Sequence, residues 1–232
     1  MKYMTDIILL TPLNRINIFL RHLTIERRTI KGSLDAYSCK HAGTDKKLSL
    51  SLENELLDHL GKSLDTESSS PDEYLIRRSS RKTLIYLLLT LHQMYPDCYF
   101  SAARTHEFFT EESWDSFKQI FDVYMLEASQ EWSRENEGDS LPETLHKALD
   151  EVVKVSECEI YSYNPNSDED PFLEGGAIWS YNFFFYNKKL KRVPTQPNQP
   201  GLLGSAVAIK EFQLGEPSLE EDEDIFDDMD IW

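Results

Sequence analysis

Cysteine is scarce in this chain, and its scarcity sets the first limits. The three thiols, Cys39, Cys98 and Cys158, are an odd and widely spaced set in 232 residues. Such a set excludes a disulfide scaffold and points to reduced thiols in a cytosolic or nuclear setting. Cations are also in deficit, with 24 Lys and Arg against 41 Asp and Glu and a formal net charge of -17. So negative a field repels nucleic-acid phosphates over a Debye length of about 8 Å. Direct nucleic-acid binding is therefore not expected, and a basic protein is the better partner. Long apolar runs are missing as well. The start, MKYMTDIILLTPLNR, has an apolar run of only four residues before a Thr-Pro, too short for a secretory core or a membrane span. A soluble protein that is not exported and engages no membrane is the expectation.

Catalytic apparatus is absent too. Cys39-Lys40-His41 offers two metal ligands without a second pair, and four are needed for a structural zinc site. His106 and Phe108 lack the Glu and the downstream cysteine pair of a zinc deaminase. No nucleophile elbow, phosphate-binding glycine loop or H-E-x-x-H appears in the sequence. The acids Asp168, Glu169 and Asp170 sit among turn formers, where solvated carboxylates keep ordinary acidity. The chain reads as no enzyme, with no metal and no cofactor.

What is present suggests one α+β domain with tails. The segments are an N-terminal part of the globular domain at 1–45, a mobile regulatory insertion at 46–78, the main part of the domain at 79–193, and a Pro-rich linker with an acidic tail at 194–232. Thr11 and Pro12 suit a helix start, with Leu13, Ile16, Leu20 and Leu23 on one face. Thr29 to Lys40 alternates, with Ile30, Leu34 and Ala36 on one parity, as a strand with one wet face does. The insertion, with SLDTESSSPDE, is too polar to offset its ordering entropy, although a transient helix around Leu52 to Leu60 fits. SSRKTLIYLLLTLHQMY predicts a central helix. Trp114, Phe117, Phe121, Tyr124, Ala128 and Trp132 line another, opened by Thr110 with Glu111 and Glu112 at its positive end. Ser140 and Glu143 form a capping box for a fourth. Cys158 to Tyr161 returns to strand alternation.

Residues 179–192, WSYNFFFYNKKLKR, gather aromatics and then cations. The rings read as the core of a strand covered on both faces. A sheet edge cannot bury four unpaired cations. Lys188, Lys189, Lys191 and Arg192 therefore face water or serve as a nuclear-import signal, with Arg77, Arg78, Arg81 and Lys82 as a second cluster. Lys46-Lys47 and Arg77-Arg78 each precede a serine by two or more residues, which marks Ser49 and Ser80 as candidate phosphorylation sites; a phosphate of about 1.5 to 2 negative charges there would mask neighbouring cations. Beyond Val193 the run PTQPNQPG cannot continue a sheet, and SAVAIKEF at 205–212 is an uncertain strand.

Five stretches, taken together, resemble the Maf-type repressors of RNA polymerase III. They are DAYSCKHAG (35–43), SRKTLIYLLLTL (80–91), PDCYFS (96–101), CEIYSYNP with DPF downstream (158–172) and WSYNFFFYNKKLKR. The resemblance runs from about residue 11 to 193, broken by the insertion. It implies an antiparallel sheet of about five strands flanked by helices and no enzymatic activity. It further implies a nutrient- and stress-responsive regulator, and the chain is read as a monomer. Such a protein is held by a kinase, released by a phosphatase, and shuttles between cytoplasm and nucleus. It binds RNA polymerase III and blocks its engagement with the initiation factor, silencing tRNA and other small RNA genes. On this reading Asp168, Glu169, Asp170, Glu220, Glu221 and Asp222 meet the partner, with Phe226 and Trp232 as apolar anchors. Two departures stand out: Cys98 and Tyr99 replace the usual residues of PDYDFS, and Pro194 to Pro200 interrupt the approach to a further apolar strand. Either SAVAIKEF supplies that strand or the sheet is one shorter. The competing reading is an acidic chaperone or adaptor for basic proteins.

Overall fold

The computed structural model describes residues 11–21, 23–25, 28–38, 43–64, 78–165, 177–189 and 205–215. Its strands are β1 (Leu23–Ile25), β2 (Arg28–Ser38), β3 (Phe109–Glu112), β4 (Glu159–Tyr163), β5 (Ala177–Asn187) and β6 (Ser205–Gly215). They form one antiparallel sheet in the order β1-β2-β6-β5-β4-β3. The α+β class is as read, with six strands where about five were expected. The added strand is SAVAIKEF and its extension, whose backbone lies between β2 and β5.

Both faces of the sheet are covered. On β5, Phe183 and Phe185 enter one apolar cluster while Phe184 enters another, as side chains of alternating parity must. Ile160 joins the first cluster, and Tyr161 and Tyr163 join the second. On β2, Ile30 and Leu34 face the first cluster, but Tyr37 is buried in the second and Ala36 is exposed. The expected wet face is therefore partly covered, and a register shift between Lys31 and Ser33 disturbs the simple parity.

The first face carries α1 (Thr11–Arg21), α5 (Trp114–Tyr124), α6 (Leu126–Glu135) and α7 (Leu141–Val153). Leu13, Ile16 and Leu20 bury one stripe of α1. Because β1 is only three residues long, the β2 edge beyond Ile30 has no strand neighbour among the described residues on that side. Asn17 of α1 takes that place: its amide donates to the Leu34 carbonyl (3.0 Å) and its oxygen accepts from the Leu34 N–H (2.7 Å). Two expectations need correction on this face. Thr110, Glu111 and Glu112 belong to β3, paired with β4, and the helix starts later, at Ser113, whose hydroxyl accepts from the Ser116 N–H (3.0 Å). Phe109 and Thr110 suit a pleated edge, and cross-strand pairing outweighs the dipole preference of the two glutamates. The long aromatic helix is also two helices, separated at Met125 (φ -106, ψ 17). Met125 is buried and its N–H still reaches the Phe121 carbonyl (2.8 Å), so the break costs little hydrogen bonding. Ser140 caps α7 as expected, accepting from the Glu143 N–H (3.4 Å).

The second face carries α2 (Gly43–Leu64), α3 (Arg78–Met94) and the short α4 (Ala102–Thr105). Here the reading of 46–78 as a mobile insertion is corrected for residues 46–64. They lie in a helix that buries Leu52, Leu56 and Leu60 against the second cluster, with Leu48 packed on it. Spacing by four places these leucines in one narrow stripe, which a polar average conceals. Arg78 opens α3, and residues 65–77 lie outside the described residues. Among the described residues no helix is long and apolar enough to cross a membrane.

Candidate functional site

The second face holds both candidate phosphorylation sites and the described part of both basic stretches. α3 runs opposite to β5: Tyr86 rests on Tyr186 with ring centroids 5.6 Å apart, and nine residues on, the Tyr95 hydroxyl donates to Asn182 Oδ1 (3.1 Å). The start of α3 and the end of β5 therefore share one end of the sheet. Two basic stretches far apart in sequence meet around that tyrosine pair. Lys82 is one turn before Tyr86, and Lys188 Nζ lies 5.9 Å from the Tyr186 ring centroid.

The two ends are not equally free. Lys188 donates to Glu159 Oε1 at 2.6 Å, and Glu159 Oε2 accepts from the Tyr161 hydroxyl at 3.0 Å. Such a partly exposed pair contributes at most about 1 kcal/mol. Lys189 is exposed, its N–H anchored on Asn187 Oδ1 (2.8 Å), and Asn187 in turn donates to the Val153 carbonyl (2.8 Å). Arg81 is half-buried and Lys82 exposed. Arg77, Lys191 and Arg192 lie outside the described residues, as do Cys39, Asp168, Glu169, Asp170, Glu220, Glu221, Asp222, Phe226 and Trp232.

The two serines fall in helices. Ser49 is half-buried on α2. Ser80, expected in a mobile insertion, is only 7% exposed in the first turn of α3. A kinase reads extended chain, so Ser80 becomes a substrate only when that turn unwinds.

Beside Ser80 the structure opens a cleft of about 460 Å³ between α3 and the β3 edge. Thr83, Leu84 and Leu87 form its helix wall. Phe109, Glu111 and Tyr161 form its sheet wall, with His106 and Glu107 at the turn before β3. Glu111 stands directly across from Tyr161, and Phe109 from Tyr163. No sequence signal marked this cleft, because its apolar residues read as core.

Deeper on the same face, Glu55 of α2 accepts from the Tyr99 hydroxyl (3.4 Å), the Ser101 hydroxyl and the Ala103 N–H (3.4 Å). The PDCYFS loop thus finds its carboxylate on a neighbouring helix. His92, with Nε2 3.3 Å from the Phe100 carbonyl, has its pKa lowered chiefly by burial, against the opposing pull of that carbonyl, the Cys98 backbone and Glu55. On the other face, burial pushes the Cys158 thiol up to about 12, helped by Asp150 and Glu157. A thiol so rarely ionised is a poor nucleophile. Among the described residues no group of three or more His, Cys, Asp or Glu can hold a metal ion.

Comparison with known proteins finds relatives in sequence and in structure. The Maf1 regulator family matches residues 30–195. A repressor of RNA polymerase III transcription from Schizosaccharomyces pombe is 30% identical over 173 residues, covering 71% of this chain and 70% of the relative. Its namesake from Dictyostelium discoideum is 27% identical over 238 residues, covering 83% and 82%. A crystal structure of citrus MAF1 superposes with a TM-score of 0.72 at 59% identity, over 89% of this chain and all of that one. These relatives are regulators and not enzymes, as the sequence reading holds for this chain. With a family match over most of its length and a fold shared with citrus MAF1, the chain belongs to the Maf1 regulator family.

Proposed function

We propose that this chain represses RNA polymerase III transcription by binding the polymerase and blocking its engagement with the initiation factor. The observation that carries the reading is the family match, joined to relatives named as repressors of that polymerase. The physical driving force is charge. A chain of net charge -17 complements the basic channels that a transcription machine keeps for nucleic acid, and complementarity of this kind governs encounter and register. The acidic residues Asp168, Glu169, Asp170, Glu220, Glu221 and Asp222, with Phe226 and Trp232, remain the proposed contacts. Phosphorylation by a kinase and its reversal by a phosphatase set activity, acting first at Ser49, which needs less unfolding to reach than Ser80. Import into the nucleus uses the converging basic stretches, with Lys189 and Lys82 exposed there.

The test is capture of purified RNA polymerase III by the phosphate-free protein. Capture is expected to fall steeply between about 50 and 200 mM salt, as screening shortens the range of the field. Ser49→Asp is expected to weaken it. Capture that is flat across this range removes the charge mechanism, and no capture at any salt removes the proposal.

A further inference from the structure

β3 is the last strand of the sheet, and its outer edge borders the cleft. The Asn164 N–H donates to the Phe108 carbonyl at 3.0 Å, one step before the Phe109–Tyr163 pair. In an antiparallel ladder bonded pairs alternate with unbonded ones. Thr110 and Glu112 therefore spend their backbone groups on β4, while the N–H and C=O of Phe109 and Glu111 point away from the sheet. Phe109 directly follows the 3-10 turn His106–Phe108, and among the described backbone bonds the Glu111 N–H and C=O have no partner. The side chains of the same two residues line the cleft. An open strip of main chain thus sits beside an apolar floor of Leu84, Leu87, Phe109 and Tyr161. The exposed carboxylates of Glu107 and Glu111 stand at its rim, with no Lys or Arg among the described lining residues.

We propose that this edge is a docking site for an extended segment of a partner protein that carries apolar residues and a lysine or arginine along one face, at every second position. The segment adds to β3 as a seventh strand, bonding the outward C=O of Phe109 and the outward N–H and C=O of Glu111. Its apolar side chain fills the cleft, and its lysine or arginine, on the same face of the added strand, meets Glu107 and Glu111. Main-chain bonds supply affinity and the cleft supplies selectivity, as in other strand additions. A volume near 460 Å³ lies within the range of about 300–1,000 Å³ typical of built sites. A second copy of this chain fits poorly, since its own β3 edge brings the same carboxylates face to face. The proposal goes beyond polymerase repression: it assigns a surface and a segment chemistry that hold whichever protein supplies the segment.

The probe is the acetylated, amidated heptapeptide Thr-Val-Thr-Lys-Thr-Val-Thr, whose Val and Lys share one face, titrated into the full chain with backbone amide shifts followed by NMR. Saturable shifts are expected at Phe109–Glu112 and along Thr83–Leu87, and their absence overturns the proposal. The same peptide N-methylated at alternate residues is expected to lose binding; equal binding excludes strand addition. Glu111→Pro removes an outward N–H that no ladder bond uses, a position where an edge strand tolerates proline. That variant is expected to fold and to bind at least about tenfold more weakly, and an unchanged affinity contradicts the docking geometry. Joint Glu107→Gln and Glu111→Gln should weaken the basic peptide about fivefold, as two exposed charge contacts do, and unchanged affinity contradicts the charge match. Replacement of residues 66–76 by Gly and Ser at equal length should leave affinity unchanged. A gain above about tenfold makes the chain's own connection the occupant and overturns the assignment to a partner.

Discussion

The two faces of the sheet use the same strands for different ends. The first buries Phe183 and Phe185 beneath α1, α5, α6 and α7, where Phe117 meets both rings edge-on at 4.9 and 5.1 Å. The second buries Phe184 beneath α2 and α3, but surrounds it with tyrosines, histidines and a cleft. Tyr161, Tyr186, His92 and Glu55 all make polar or ring contacts there. One face holds the fold together, and the other holds it together while leaving polar groups and a strand edge available. The proposed docking of a partner would use the second kind of surface.

Breaking this contrast begins on the first face. Phe185→Ala empties a fully buried site and is expected to cost about 3–5 kcal/mol by denaturant unfolding, without moving the β3 edge. Leu56→Ala on α2, also fully buried, is expected to cost about 2–5 kcal/mol. A loss under about 0.5 kcal/mol, typical of surface sites, would return Gly43–Leu64 to the mobile stretch that composition suggests. Asn17→Ala leaves both backbone groups of Leu34 without that partner, and about 1–3 kcal/mol is expected.

The smallest effect separates the faces by pH. Burial lowers the His92 pKa below 6.5, so below that pH the unfolded chain takes up a proton that the folded chain resists. The stability that neutral His92 confers is complete above about pH 6.5 and is lost as pH falls through the lowered folded value. Unfolding at pH 7.5 and 5.5 should show a smaller acid loss in His92→Gln than in the parent, and equal losses would sink the assignment.

Periodicity made the first face readable. Leu13, Ile16 and Leu20, the Ser140 cap, and the Phe183–Phe185 alternation all obey local rules. Where local rules competed, tertiary packing decided. Glu111 and Glu112 satisfy a helix start, yet pairing with β4 claims them. Met125 interrupts a helix with neither Gly nor Pro to announce it. The leucines of α2 form a stripe one residue wide in a polar background. Ser205–Gly215 became central because β2 and β5 needed a strand between them. The meeting of the two basic stretches and the cleft beside Ser80 follow from α3 lying opposite to β5, which no short window encodes. The resemblance found the family, while every acidic contact proposed for the partner falls outside the described residues.

The most direct measurement of the central claim is transcription of a tRNA gene by purified RNA polymerase III and its initiation factor, with phosphate-free protein added to saturation. The account expects tRNA synthesis to fall to background while messenger RNA synthesis by RNA polymerase II continues. Undiminished tRNA synthesis, or an equal fall in both, would contradict it.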